Sequence, residues 1–286
     1  MRRFFCFGLG YSGLRLARAL MAEGWAVGGT CRDPAAAAAL RAEGIDARPF
    51  PLPDPVEALA GVGHVLTTVP PGEGGDPVLE AHGAALAALP LAWFGYLSTT
   101  GVYGDHGGGW VDEATPPAPT NPRAARRVAA ERAWTAAGVP LHVFRLPGIY
   151  GPGRSALDQV RAGQAKRIDK PGHVFSRIHV DDIVGAVMAS MARPNPGAVY
   201  NLADDEPAPA AEVVAHACAL LGVEPPPLVP FEAAALSPMG REFYADNRRV
   251  RAARIGAELG YRLRHPSYRD GLRAQIEAEA GGAKGP

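Results

Sequence analysis

The sequence predicts an α/β protein in which a doubly wound parallel sheet occupies the first half of the chain and a smaller α/β lobe follows. Three observations predict it. From Phe4 to Leu146, apolar runs of strand length alternate with amphipathic runs of helix length. The first strand-to-helix junction is Gly8-Leu9-Gly10-Tyr11-Ser12-Gly13, set between Phe4 to Phe7 and the helix-spaced Leu14, Leu16, Ala17 and Leu20. Beyond Gly153 the alternation loosens, and prolines gather from Pro225 to Pro230. Residues 1–150 therefore form the sheet domain and 151–286 mainly the second lobe, with a helix and strand around 179–203 returning to the first.

Each element has its own signal. Trp25 to Thr30 makes a second strand, and Asp33-Pro34 caps a helix through Arg41. A third strand falls near Ala47 to Leu52, and Asp54-Pro55 opens a short helix. The apolar run His64 to Val69 is a fourth strand, stopped by Pro70-Pro71-Gly72. A helix from Pro77 to Leu89 leads to a fifth strand, Ala92 to Ser98, and then to a long polar, glycine-rich loop through Pro122. Loops of that length in compact domains are commonly functional. A helix over Arg123 to Ala137, a strand over Leu141 to Leu146 and a Gly-Pro-rich crossing at Gly148 to Gly153 complete the domain. The second lobe shows a strand at Val174 to Ile178, a helix at Asp181 to Met191, a strand at Ala198 to Leu202 and a helix at Pro209 to Leu221. The tail Gly281 to Pro286 is expected to be flexible.

The opening junction carries chemistry. In such a turn Gly8 permits the backbone bend, Gly10 lets a pyrophosphate approach the main chain, and Gly13 lets the helix pack on the strand. The amides that follow, from Tyr11 and Ser12, then face the phosphates. The plain alternative is a glycine-rich loop, against which the flanking strand and helix argue. This is a Rossmann domain, with its dinucleotide across the carboxyl ends of the strands, where Val69, Pro70 and Ser98 stand. Sites selective for NAD end the second strand with a carboxylate; here Cys31 and Arg32 stand there. A guanidinium at that point pairs with a 2′-phosphate, so NADP(H) is the preferred cofactor and NAD(H) a possible one. A solvated arginine is the alternative, and Asp33 is the cap of the next helix.

Composition narrows the classes further. The 286 residues are 47% apolar, and 29 Lys plus Arg balance 29 Asp plus Glu, so no global field or basic patch argues for nucleic acid or an anionic membrane. Cys6, Cys31 and Cys218 are odd in number and widely spaced, which suits a reducing, cytoplasmic setting better than a disulfide framework. The eight histidines lack ligand spacing, so no metal is expected. No signal peptide or membrane span is found, and a homodimer is allowed.

Three further stretches carry a family likeness. They are Tyr96-Leu97-Ser98-Thr99-Thr100-Gly101-Val102-Tyr103-Gly104-Asp105 with Val111-Asp112-Glu113, then Arg145-Leu146-Pro147-Gly148-Ile149-Tyr150-Gly151-Pro152-Gly153, then Arg177-Ile178-His179-Val180-Asp181-Asp182-Ile183. With the glycine turn they resemble the extended short-chain dehydrogenase/reductases, the group of nucleotide-sugar epimerases and dehydratases, over nearly the whole chain. The resemblance implies an NAD(P)-binding domain and a lobe closing over a polar, often sugar-nucleotide substrate. It places Thr99 at the reacting hydroxyl or carbonyl, Pro147, Gly148 and Ile149 beside the nicotinamide, and Tyr150, Arg154 and His179 toward the substrate. Thr99 is alternatively a strand-end hydroxyl bonded to backbone, and His179 a packed histidine.

The sequence departs from that family at two points. The family's commoner turn is G-x-x-G-x-x-G, whereas Phe7 holds its first position here. Its catalytic pair is Tyr-x-x-x-Lys on the helix after the long loop, where the lysine lowers the tyrosine pKa. Aligning Glu131 with the family's helix glutamate puts Arg127 at the lysine position and Arg123 at the tyrosine position. The two arginines share a helix face and are expected to bind anions, Arg127 on the cofactor and Arg123 on the substrate, unless they are surface charge. Tyr103 and Tyr150 become the candidate proton donors. A 4,6-dehydratase is disfavoured because Thr100-Gly101 follows Thr99 where that group has Asp-Glu. Two functions remain: an atypical NAD(P)-dependent oxidoreductase or epimerase on a polar, nucleotide-sugar-like or otherwise anionic small molecule, or an NADP(H) sensor without redox catalysis.

Overall fold

Alternating strands and helices build one parallel sheet of seven strands. The structure is a computed structural model and describes residues 1–282. The elements of the first half are β1 (Arg3–Phe7), α1 (Tyr11–Ala22), β2 (Ala26–Thr30), α2 (Pro34–Ala42), β3 (Asp46–Arg48), α3 (Pro55–Ala58), β4 (His64–Thr67), α4 (Pro77–Ala87) and β5 (Trp93–Thr99). After a 3₁₀ turn at Thr100–Tyr103 come β6 (Trp110–Val111), α5 (Pro122–Ala136), β7 (Leu141–Leu146) and β8 (Gly148–Tyr150). The remainder is α6 (Ala156–Arg161), β9 (Arg167–Asp169), β10 (Arg177–His179), α7 (Val180–Ala192), β11 (Val199–Asn201), α8 (Ala210–Leu221), β12 (Leu228–Pro230), α9 (Pro238–Phe243), β13 (Arg249–Val250), α10 (Ala253–Leu259) and α11 (Tyr268–Gly282).

The sheet order is β11-β7-β5-β4-β1-β2-β3, so the chain winds outward in both directions from β1 and β4. The carboxyl ends of β1 and β4 are the switch point where such sheets bind ligands. Helices cover both faces, and β5 and β7 are accordingly buried along nearly their whole length. One face packs Leu16 and Leu20 of α1 and Ile183 and Val187 of α7 on the sheet, and the other packs Leu86 of α4 and Trp134 of α5. A buried indole on each face is paired: Trp93 donates to Ser190 Oγ (3.0 Å) and Trp134 to Asp76 Oδ2 (3.0 Å). Asp33, Asp54 and Asp76 cap α2, α3 and α4, each followed by proline at the first helical position.

The second lobe is assembled from separated segments. Short parallel pairs β8 with β10 and β9 with β12 lie beside α6, α8 and α11, whose core includes Tyr150, Leu157, Val213, Ala217, Tyr268 and Leu272. Asp182, fully buried at the start of α7, accepts from the Tyr261 hydroxyl (2.8 Å) and from the amides of Arg264 (2.6 Å) and His265 (3.1 Å). That carboxylate fixes the chain leading into α11.

Several expected elements differ. The third strand ends at Arg48, because Phe50, Pro51 and Leu52 turn away across a cis peptide between Phe50 and Pro51. The strand expected at Val174 to Ile178 is shifted to Arg177–His179, and α11 is a helix that the periodicity did not announce. Gly271 sits inside α11 because a Cβ there would collide with the Tyr150 hydroxyl. Of the tail expected to be flexible, Gly281 and Gly282 end α11 and the rest lies outside the described residues. No helix among the described residues is long and apolar enough to cross a membrane.

Candidate functional site

The turn after β1 is held from three strands. The Gly8 amide donates to Thr30 Oγ1 (2.9 Å) at the end of β2, and the Gly8 carbonyl accepts from Thr68 Oγ1 (2.8 Å) just past β4. Gly8 has φ of +93°, and a Cβ on it would lie 2.5 Å from Thr68 Oγ1. A Cβ on Gly13 would lie 2.5 Å from the Gly8 carbonyl oxygen and 2.8 Å from Cys6 Sγ. A Cβ on Gly10 would meet nothing within 4 Å. The three glycines thus divide the work: two are forced by packing, and the third leaves a bare face of backbone. There α1 starts without a side-chain cap or an acidic residue in its first turn. Nothing of the chain's own competes for its first amides, so the cradle fits a pyrophosphate.

From this cradle a cleft of about 570 Å³ runs along the carboxyl ends of the strands. It is lined by Gly10, Tyr11 and Ser12, by Thr68 and Pro70, by Ser98 to Gly101, and by Asn121, Arg123, Arg126 and Arg127 at the start of α5. Leu146 to Ile149 and Arg154 form the opposite side, and Val174 to Ser176 with Glu242, Phe243, Asp246, Arg248 and Val250 come from the second lobe. The site residues expected at Gly10, Tyr11, Ser12, Pro70, Ser98, Thr99, Arg123, Arg127, Pro147, Gly148, Ile149 and Arg154 all border it. Val69 packs against Gly8 while its neighbours line the space, and Arg32 is exposed past β2, outside this cavity.

The cleft is strongly cationic. Five arginines line it (Arg123, Arg126, Arg127, Arg154, Arg248) against two acids, Glu242 and Asp246. Asp246 is already paired with Arg248 (3.2 Å) and accepts from Thr120 Oγ1 (2.7 Å). Arg127 is set by Nη1, which donates to the Leu97 carbonyl (2.9 Å) and the Tyr96 hydroxyl (3.0 Å). Burial pushes that Tyr96 hydroxyl up to about 12, so it stays a neutral partner. Arg123 and Arg126 make no ion pair or side-chain hydrogen bond among the described residues. Low-dielectric walls lined by one sign of charge concentrate counter-charged ligands.

Three expected site residues lie away from the cleft lining. Tyr103 is fully buried outside the cleft, donating to Asn201 Oδ1 (2.7 Å) and accepting from Arg145 Nη1 (3.1 Å). It ends a buried chain in which Arg145 pairs with Glu131 (2.7 Å) and Glu131 accepts from Ser98 Oγ. Tyr150 is buried too; its hydroxyl donates to the Ser267 carbonyl (3.2 Å), and burial raises its pKa far beyond the usual phenol. Neither tyrosine borders the cleft. His179 is buried, its Nδ1 accepts from the Asp181 amide (3.2 Å) at the start of α7, and its ring lies 4.1 Å from that of His265. It is packed and does not line the cleft. Burial first, then His265, pushes it down to about 4.

His179, Asp181 and His265 also bring ligand-type atoms within 4.8 Å of one another, a grouping that sequence spacing hid. Nδ1 of His179 is occupied by the helix amide and Asp181 by Arg15 (2.6 Å). The cleft residues that sequence reasoning missed are Thr68, Arg126 and the second-lobe set from Phe175 to Arg248. Arg126 had a signal, three residues from Arg123 on a helix; the second-lobe set lies in irregular chain with no period to betray it.

A phosphate cradle at the switch point of a parallel sheet, with a cleft closed by a second lobe, defines a Rossmann-type dinucleotide-binding fold. The family model for the NAD dependent epimerase/dehydratase family matches residues 76–203. Protein YeeZ of Escherichia coli (strain K12) is 30% identical over 284 residues, 93% of this chain and 97% of that protein. The 3-diazoavenalumate denitrifying reductase of a Streptomyces species is 32% identical over 234 residues, 77% of this chain and 73% of that protein. A functionally unknown conserved protein from Silicibacter pomeroyi superposes with a TM-score of 0.92 at 51% identity, covering 97% of this chain and 99% of that one. The chain belongs to the NAD-dependent epimerase/dehydratase family.

Proposed function

We propose that this protein is an NADP(H)-dependent reductase of a small anionic substrate. The observation that carries the reading is the wall of the cleft, where Arg123 and Arg127 occupy the positions that the family likeness gives to tyrosine and lysine, while the hydroxyl of Tyr11, the tyrosine in the lining, donates to the Pro152 carbonyl (3.1 Å). A guanidinium stays charged at any ordinary pH, so Arg123 and Arg127 cannot take up a substrate proton. They can stabilise negative charge as it develops on an acceptor. That suits reduction, in which charge builds on the substrate, better than oxidation or epimerisation, which must first remove a hydroxyl proton.

The cofactor reading rests on the residues around it. The glycine cradle takes the pyrophosphate, and Arg32, with no acidic partner, takes a 2′-phosphate past β2, while the nearby Asp33 is spent on the Ala35 amide (2.9 Å). Pro147 to Ile149 and Thr99 flank the nicotinamide, and Thr99 Oγ1 is oriented by the Gly101 amide (3.1 Å). When bound, the reduced nicotinamide supplies a hydride. Arg127 orients the nearby ribose or phosphate, and Arg123 and Arg154 hold the substrate's anionic group.

Calorimetry and turnover test this together. NADPH is expected to bind at least about tenfold tighter than NADH, with the preference lost in Arg32→Ala. NADPH oxidation is expected with acidic acceptors and is expected to fall in Arg123→Ala. Equal affinity for the two cofactors would overturn the NADP(H) assignment. Tight NADPH binding with no oxidation across sugar nucleotides and acidic carbonyl compounds would favour a sensor.

A further inference from the structure

One ring in the cleft is out of place for a protein surface. Phe243, at the end of α9, is 61% exposed, and no other phenylalanine is among the large exposed apolar side chains. It lines the cleft with Phe175, whose ring centroid lies 6.3 Å away at an interplanar angle of 39°. Exposed Trp110, by contrast, lies under the Arg251 guanidinium at 5.4 Å and outside the cleft. Leaving a phenylalanine in water forgoes the free energy of burying it, part of which a ligand lying against the ring recovers.

The polar lining narrows the ligand further. Thr68 is bonded to the Gly8 carbonyl, Ser98 to Glu131, Thr99 to the Gly101 amide, Asn121 to the Ala124 amide and Ser176 to the Val250 amide. These five neutral side chains already have a partner in the protein, which leaves fewer groups to read a ring of sugar hydroxyls, and sites that discriminate hydroxyls depend on such groups. Facing the space alongside Ser12, Thr100 and Glu242 are the arginines and the exposed ring of Phe243. The 570 Å³ must also admit the nicotinamide end of the cofactor.

We propose that the substrate is a small planar carboxylic acid, an arene or an extended conjugated acid, whose π face lies on Phe243 and whose carboxylate meets Arg123 or Arg126. This deepens the reductase reading and rests on it for the location of the substrate. Phe243 and the two arginines then set specificity from different lobes: one selects for flatness, the others for charge.

The test uses NADPH-saturated protein and four probes: trans-cinnamate, cyclohexanecarboxylate, cinnamamide and UDP-glucose. Calorimetry is expected to give cinnamate about five- to tenfold tighter binding than either the saturated acid or the uncharged amide. Phe243→Leu keeps apolar volume without the π face and is expected to abolish the preference over cyclohexanecarboxylate. Arg123→Ala combined with Arg126→Ala is expected to abolish the preference over cinnamamide. Equal binding of cinnamate and the saturated acid, an unchanged preference in Phe243→Leu, or tighter binding of UDP-glucose than of cinnamate would overturn the proposal. NADPH affinity is measured in every variant. Its absence in the parent protein would sink the reductase reading, whereas intact NADPH binding without cinnamate preference sinks this inference alone.

Discussion

The cradle after β1 and the arginine wall of α5 face the same cleft but are built by different means. The cradle is a matter of backbone: two glycines are required by neighbours 2.5 Å from a would-be Cβ, and the third by the open space it leaves. The wall is a matter of side chains standing on a buried charge network, Ser98, Glu131, Arg145, Tyr103 and Asn201, that joins β5, α5, β7 and β11. A backbone site is fixed by local sequence. A side-chain site is fixed by whatever lies beneath it, and the difference can be measured.

The largest effect is expected beneath the wall. Glu131→Ala leaves Arg145 buried without its partner and is expected to lose about 3–5 kcal/mol in denaturant unfolding. A loss under 1 kcal/mol would mean that the wall does not rest on this pair. Acid separates the regions next. The cradle has no group titrating between pH 4 and 7, whereas His179 is held near 4 in the fold against about 6.5 unfolded. Its depressed folded pKa gives stability that is present above pH 6.5 and lost as the pH falls toward 4, on the order of 3 kcal/mol. His179→Gln is expected to flatten that limb of a plot of Tm against pH, and an unchanged slope would assign the acid sensitivity elsewhere.

Smaller effects sharpen the contrast within the cradle. Gly13→Ala must displace the Gly8 carbonyl and is expected to lose about 1–3 kcal/mol of stability along with NADPH binding. Gly10→Ala meets no neighbour, so its Tm is expected to hold while NADPH affinity drops by about tenfold or more. If both variants behave alike, the cradle is one packing unit and not two functions. The smallest change in function is expected in Tyr103→Phe, which loses two buried hydrogen bonds at about 1 kcal/mol each, and Tyr150→Phe, which loses one, both with turnover unchanged. A collapse of turnover without loss of stability would restore a tyrosine to the chemistry.

Legibility in the sequence follows the same division. The glycine turn, the Asp-Pro caps and the apolar strands act within a few residues, so they could be read directly, as could the placing of Arg123 and Arg127 on one cleft-facing helix. Tyr103 and Tyr150 misled because a motif gives order along the chain and not direction in space: Tyr103 turns to Asn201 and Tyr150 to Ser267, partners far along the chain. Phe243 and Glu242 had no periodic signal at all. Their place in the cleft depends on contacts made by the following segment, such as the Asn247 amide on Asp105 (2.8 Å) and Arg248 on the Gly104 carbonyl (2.7 Å). Helix α11 was missed because Gly271 and a short apolar stripe disguise a helix whose reason to exist is Tyr150 and α8.

The outermost position of β11 bears on how the chain comes off the ribosome. Six strands of the sheet are complete by residue 146, and of these only β7 pairs with a strand still to be made. The seventh, carrying Asn201, arrives some fifty residues later, at about 5–20 residues per second. Until then the Tyr103 hydroxyl lacks its Asn201 acceptor, and β7 shows a bare edge next to buried Phe144 and Arg145. A nascent chain stalled between residues 150 and 200 should therefore be the species most open to chaperone capture and to mispairing with a neighbouring copy, and the same β7 edge should gain protection from hydrogen exchange only once β11 has been synthesised.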